Sequence, residues 1–425
     1  MHPIRFIHAA DLHLDAAFSG LSRGIPADLA ERLRTATFTA LRRLLDLCER
    51  ERPDFLLLAG DVYNQEDASV SAQLALRDGF RRLEALGIPV FLAHGNHDPL
   101  SSRLRSVRWP GNVTVFGELP HAEPVSRRDG ETPCAFIHGV SHASGRETRN
   151  LAALFRRTEA DGLHVGLLHA TPGDADGEAR YAPFSQEDLK ASGMDYWALG
   201  HIHDRREVCG EPLAAYPGCP QGLHINEPGE KGCLLVTAEA RPGGGYGVRT
   251  AFRPLGPVVW KTLEMDLDGV ASLDELENRL RAGLDRAAAE VWSGCEMLLV
   301  RLRLQGRTDL DGLLRKGTAC AELADRLRED GNGVPRIWIK DMDIATRPYV
   351  ERAALLERED LLGEVFRLSE AARTASGLEA LREGPLAPLF AHGRAGKALQ
   401  PLTDEELARL LDDAESLCLD LLEND

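Results

Sequence analysis

The sequence predicts an α/β protein, followed by a small α+β domain and a helical tail. Three observations predict it. Short apolar runs alternate with helical patterns over the first part of the chain. Polar clusters with metal-ligand chemistry stand just after those runs. The pattern then changes after Gly256-Pro257.

Ile4 to Ala10 reads as a first strand, with Asp11 and His13 just past its end. Asp54 to Ala59 is a short continuous apolar run, the mark of a strand buried on both faces, and Gly60-Asp61 follows it. Ile88 to Ala93 is another, followed by Gly95-Asn96-His97-Asp98. His164 to Leu168 leads into His169, and Tyr196 to Leu199 into Gly200-His201-Ile202-His203. Each polar cluster lies at the carboxyl end of a strand, where open α/β sheets place their sites. Helical patterns fall between, over 28–50, 69–86, 150–159 and 185–192. Gly60, Gly95 and Gly200 suit a backbone that must turn sharply or approach another group closely.

Beyond the boundary, Val258–Asp266, Met297–Leu304 and Arg336–Asp343 read as strands. Leu273–Glu290 and Thr308–Glu329 read as helices between them. A unit of this kind is a small α+β domain. The expected divisions are 1–255, 258–345 and 348–425.

The clusters supply two Asp, one Asn and four His: Asp11, His13, Asp61, Asn96, His169, His201 and His203. That set suits two adjacent divalent ions. Asp11 with His13, and His201 with His203, sit two apart on extended segments, so each pair can face one ion. Asp61, with two carboxylate oxygens, is the natural bridge. Mixed nitrogen and oxygen donors suit manganese, iron or zinc more than calcium, and the absence of cysteine argues against a purely structural zinc site. Two such ions generate hydroxide at neutral pH and grip a phosphate together. His97, beside Asn96, is then placed to protonate a leaving oxygen, with Asp98 orienting it. The reaction implied is hydrolysis of a phosphate ester. Any one of these motifs alone is more often a turn or a satisfied polar group; the ordered set reverses that reading. His8, His94, His138 and His142 keep the structural reading.

In this order the motifs resemble the calcineurin-like metallophosphoesterases. Asp11-Leu12-His13-Leu14-Asp15, and Tyr216-Pro217-Gly218-Cys219-Pro220-Gln221-Gly222 with Asn226-Glu227 and Lys231-Gly232, resemble the SbcD-type DNA repair exonucleases, nearest their YhaO-like branch. The resemblance implies a four-layer β-sandwich flanked by helices, a capping domain that helps select DNA shape, and two manganese ions on the seven residues above. It also implies DNA exonuclease and endonuclease activity, a partner ATPase of the SMC type, and a homodimer. After Asp61 the chain reads Val62-Tyr63-Asn64, where some relatives carry a histidine that helps position a DNA end. The balance of exonuclease and endonuclease activity is open at that point. A phosphohydrolase of the same fold, acting on a nucleotide or another small phosphoester, is the alternative.

The charge runs against a simple nucleic-acid binder, which is usually basic. Of 425 residues, 50 are Lys or Arg and 67 Asp or Glu, a formal −17. Residues 1–255 hold 28 basic and 33 acidic side chains; residues 256–425 hold 22 and 34, so the excess lies mostly outside the catalytic half. Two divalent ions add about four positive charges at the site itself. Arg23, Arg103, Arg105, Arg108, Arg127, Arg128, Arg205 and Arg206 are candidate phosphate contacts. No apolar signal region is read at the N-terminus, and no stretch approaches the roughly 18 apolar residues of a membrane span. The eight cysteines form no Cys-x-x-Cys pair. The expectation is a reduced cytoplasmic chain.

The tail is acidic, with 17 acidic and 8 basic side chains over 349–425. Thr403 and Glu406 form a capping box. Leu407, Leu410, Leu411, Ala414, Leu417 and Leu421 follow as one apolar stripe. The stripe either docks on the chain itself or meets a partner helix.

Overall fold

A computed structural model describes residues 2–422 except 22–24, 65–68, 103–106, 128–129, 131, 174–179, 330–332, 350 and 392–401. Four of the candidate phosphate contacts, Arg23, Arg103, Arg105 and Arg128, lie outside the described residues.

The described strands, in chain order, are β1 Ile4–Ala9, β2 Phe55–Ala59, β3 Val90–Ala93, β4 Val113–Val115, β5 His121–Ser126, β6 Pro133–Gly139, β7 Leu163–His169 and β8 Tyr196–Gly200. They continue with β9 Arg206–Gly210, β10 Leu213–Tyr216, β11 Gly232–Ala240, β12 Tyr246–Pro254, β13 Val258–Asp266, β14 Met297–Thr308 and β15 Arg336–Pro348. Among the described residues they form two six-stranded sheets, ordered β12-β11-β1-β2-β3-β4 and β5-β6-β7-β8-β10-β9, and a three-stranded sheet β13-β14-β15. β1 to β4 run parallel, as do β6, β7, β8 and β10, with antiparallel pairs at the margins.

Side-chain alternation in β2 explains why that run is apolar throughout. Phe55, Leu57 and Ala59 face the second sheet, meeting Leu163, Val165, Leu167 and Tyr196 in one core. Leu56 and Leu58 face the other way, onto Leu41, Leu44, Leu76 and Phe80 of helices Ala36–Glu51 and Val70–Ala85. The outer face of the second sheet buries Leu168, Trp197 and Leu199 against Phe155 and Leu189. Helix, sheet, sheet and helix thus make four layers, as the resemblance implied.

Some local expectations differ from the structure. The helix read over 28–50 breaks at Thr35 (φ −99°, ψ 1°), whose hydroxyl and backbone N both donate to the Glu31 carbonyl, at 2.9 and 3.1 Å. The segment read as helical over 150–159 holds a single 3-10 turn, Ala152–Leu154. There the Arg156 guanidinium takes the Ala153 and Phe155 carbonyls at 2.8 and 2.7 Å, and Phe155 packs on Trp197. The last predicted strands also run further, so residues around Thr308 and 343–348 extend β14 and β15.

By contacts the chain divides into two compact units: Met1–Asp266 with Leu273–Leu304 and Leu314–Ala345, and Leu267–Ser272 with Gln305–Leu313 and Thr346–Asp425. In the first unit, Val258, Trp260, Met297, Leu299 and Trp338 of the three-stranded sheet share one core with Phe18, Leu21, Ile25, Leu29 and Ile225. In the second, helix Leu361–Ala372 packs with helix Asp404–Leu422 around Leu355, Leu362, Phe366 and Leu419. The terminal helix turns only part of the expected stripe inward. Leu407, Glu415 and Leu419 are buried, while Leu410, Leu417 and Leu421 are exposed. Glu415 of that helix is held by Arg352 in a two-pronged ion pair at 2.8 and 2.9 Å. Among the described residues no helix is long and apolar enough to cross a membrane.

Candidate metal centre

The seven candidate ligands arrive from five strand ends of two different sheets. The loop after β1 is laced to the loop after β2: Asp11 N donates to the Gly60 carbonyl at 3.1 Å and His13 N to the Asp61 carbonyl at 3.0 Å. Asp11, His13, Asp61 and His201 all have positive φ, at 53°, 39°, 48° and 106°. Non-glycine residues adopt this region at a cost, and such strain gathers at functional sites. Where the two sheets meet, space is minimal. A Cβ on Gly200 would lie 1.7 Å from the Ala59 carbonyl oxygen, and one on Gly95 2.2 Å from Asp61 Oδ1.

The side chains gather into two groups that each bring three donor atoms together: Asp11, His13 and His203, and Asp61, His169 and His201. His13 Nε2 and His203 Nε2 are 3.0 Å apart. Asn96 Oδ1 faces His169 Nε2 at 2.9 Å and His201 Nδ1 at 3.2 Å, so it joins the second group. Asp61 Oδ2 lies 3.3 Å from His169 Nε2 and 3.9 Å from His13 Nε2, between the groups. Its other oxygen accepts from His97 N at 2.9 Å.

Donor chemistry fits divalent cations. His169 Nδ1–H donates to the Ala59 carbonyl at 3.0 Å, which turns the Nε2 lone pair toward Asn96 and Asp61. Burial holds the His13 imidazole down at about 4 and His201 at about 3, so both stay neutral, the form that ligates. Burial disfavours a charged His169, yet Asp61 and Asp11 outweigh it and raise that imidazole to about 9. Burial also opposes ionisation of Asp61, but His169 beside it holds the carboxyl well below the usual range. A buried site that captures a proton this strongly is one that favours a cation.

His97 is exposed at the mouth, its ring 5.0 Å from that of His13. Its Nδ1 pairs with the Asn64 backbone carbonyl at 2.8 Å, a contact that any side chain at position 64 permits. Asp98 is not its partner. The buried Asp98 carboxylate accepts from Gly95 N and Val62 N, both at 2.9 Å, and lies 3.4 Å from His94 Nδ1. It holds the turn that carries His97 rather than the imidazole. Three other histidines have structural partners: His8 bonds Tyr196 Oη and the Leu199 carbonyl, His138 bonds His164, and His142 bonds the His169 carbonyl. Of the described candidate arginines, Arg205 and Arg206 lie over the rings of Phe252 and Tyr216, and Arg127 bonds the His2 carbonyl.

Two further residues grip His203 and carry no metal motif in the sequence. Glu227 Oε1 accepts from His203 Nδ1 at 2.6 Å. Burial opposes its ionisation, but His203 outweighs this and holds the Glu227 carboxyl down at about 2. Lys231 Nζ donates to the His203 carbonyl at 3.2 Å and to Asp204 at 2.7 Å. The signal was there in Asn226-Glu227 and Lys231-Gly232, read only as part of a resemblance.

Such a sandwich, with two groups of His and Asp donors on one edge, defines a metallophosphoesterase. Residues 4–205 match the calcineurin-like phosphoesterase family, and residues 260–347 match the middle domain of the metallophosphoesterase YhaO. The uncharacterized metallophosphoesterase YhaO of Bacillus subtilis (strain 168) is 34% identical over 387 residues, covering 90% of this chain and 91% of that one. The DNA double-strand break repair protein Mre11 of Methanopyrus kandleri is 24% identical over 381 residues, covering 77% of this chain and 79% of its own. That of Aeropyrum pernix is 27% identical over 240 residues, about half of each chain (52% and 55%). The chain belongs to the YhaO-type metallophosphoesterases.

Proposed function

We propose that this protein is a manganese-dependent DNA nuclease that hydrolyses phosphodiester bonds at the centre described above. The observation that carries the reading is the likeness to a DNA break repair protein over 381 residues, which extends beyond the phosphoesterase domain. Asp11, His13, Asp61 and His203 would hold one ion, and Asp61, Asn96, His169 and His201 the other. Two ions so held supply Lewis acidity, activated water and neutralisation of phosphate charge.

The chain's own residues do the rest. Asp61 keeps the two groups in register and, through His97 N, fixes the turn that bears His97. His97 Nδ1–H donates a hydrogen bond to the Asn64 carbonyl, which leaves Nε2 to carry the proton that faces the substrate. As the bond from phosphorus to the leaving oxygen breaks, His97 delivers a proton to that oxygen. Exposed Leu410, Leu417 and Leu421 give an SMC-type ATPase an apolar face to meet.

The formal charge of −17 favours a second reading, a small phosphoester bound in the cavity of about 410 Å³ lined by Tyr181, His201, His203, Asp204 and Asn226. One assay separates the two. End-labelled single- and double-stranded DNA should be cut in Mn2+, with a rate lowered roughly one hundred- to ten-thousandfold in His97→Ala while Mn2+ binding is kept. A candidate ATPase should stimulate the intact chain but not one with Leu410, Leu417 and Leu421 changed to Asp. Turnover of a small chromogenic diester with DNA left intact, even with the ATPase added, moves the function to small phosphoesters.

A further inference from the structure

We propose that Glu227 is the positioning residue of His203, mounted on the three-stranded sheet so that this sheet braces one of the two metal groups and not the other. The inference rests on the metal centre proposed above. His203 Nδ1–H donates to Glu227 Oε1 at 2.6 Å, which leaves the lone pair on Nε2, the atom 3.0 Å from His13 Nε2. A carboxylate behind an imidazole fixes both its tautomer and its ring angle. The second oxygen of Glu227 accepts from Leu223 N at 2.6 Å, so the carboxylate is itself held at both atoms.

The mount continues to the sheet. The buried Gln221 side chain pairs with the Val258 backbone in both directions, donating to its carbonyl at 2.9 Å and accepting from its N at 3.1 Å. Trp260 Nε1 donates to the Gly222 carbonyl at 3.0 Å. Val258 and Trp260 open β13 and lie in the core shared with Met297, Leu299 and Trp338. Cys219 N and Lys231 Nζ each hold the His203 carbonyl at 3.2 Å, so backbone and ring are gripped by the same segment. On the other group, His169 is oriented by the Ala59 carbonyl, and its neighbours are Asn96 and Asp61. Loss of Glu227 therefore acts on one group only.

The test titrates Mn2+ alone into the full-length wild type, Glu227→Gln and Glu227→Ala, with free Mn2+ followed by electron paramagnetic resonance. Two ions should bind the wild type. In Glu227→Ala one should weaken roughly 10- to 100-fold while the other is unchanged. Glu227→Gln keeps an acceptor oxygen for Nδ1–H without the charge, so the loss at the same ion should be smaller. Wild-type affinity for both ions in Glu227→Gln and Glu227→Ala overturns the proposal. Equal weakening of both ions overturns it too, since that is what a general loosening of the fold gives. If Glu227→Ala does not fold, Glu227→Gln decides alone. A wild type that fails to bind two ions defeats the metal centre itself, a separate result, and the identity of the phosphoester does not enter.

Discussion

Asp61→Ala is expected to lose both Mn2+ ions and to lower phosphoester cleavage by roughly a thousandfold or more, the rate equivalent of several kcal/mol. Asp61 reaches donors of both metal groups. One carboxylate oxygen stands 3.3 Å from His169 and 3.9 Å from His13, and the other fixes the His97 backbone. Removing it takes a negative charge from each metal group and frees the turn that carries His97. It also leaves His169 without the main partner that favours its charged form. Free Mn2+ measured by electron paramagnetic resonance, with thermal unfolding alongside, reads the outcome. Tight binding of one ion with wild-type affinity in Asp61→Ala contradicts a bridging role.

Gly200→Ala is expected to destabilise the protein by roughly 3 kcal/mol, the upper end for forced overpacking, and to weaken Mn2+ binding although every ligand residue is kept. The added carbon would sit 1.7 Å from the Ala59 carbonyl oxygen and 3.0 Å from His169 Nδ1. Both neighbours are fixed: Ala59 ends β2 in the core of the sandwich, and its carbonyl is what orients His169. The strain must therefore part the two sheets at the metal centre. Gly117→Ala is the control, because nothing lies within 4 Å of a carbon added there. Chemical denaturation and Mn2+ titration of the two variants measure the contrast; equal, small effects in both contradict the close approach.

The ligands could be read from the sequence because each stands at the end of a short apolar strand, and because His, Asn and Asp in this order have few other uses. Strand ends are local facts. Which atoms those ligands meet is not. Adjacency points Asp98 to His97, yet its carboxylate closes the Gly95 turn and caps Val62 from 36 residues away. Glu227 and Lys231 lie 24 and 28 residues beyond His203 and reach it only through the path of the chain. The tail shows the same limit. A helical stripe of leucines is legible, but the part-buried pairing of Glu415 with Arg352 spans 63 residues and is not. Periodicity carries burial when burial is apolar, and it is silent when an ion pair wins the interior.

The most direct measurement is anomalous diffraction from crystals grown with Mn2+. Two manganese peaks are predicted, one among Asp11, His13 and His203 and one among Asp61, Asn96, His169 and His201, with Asp61 shared by both. A single peak, or peaks among other residues, would contradict the two-metal account.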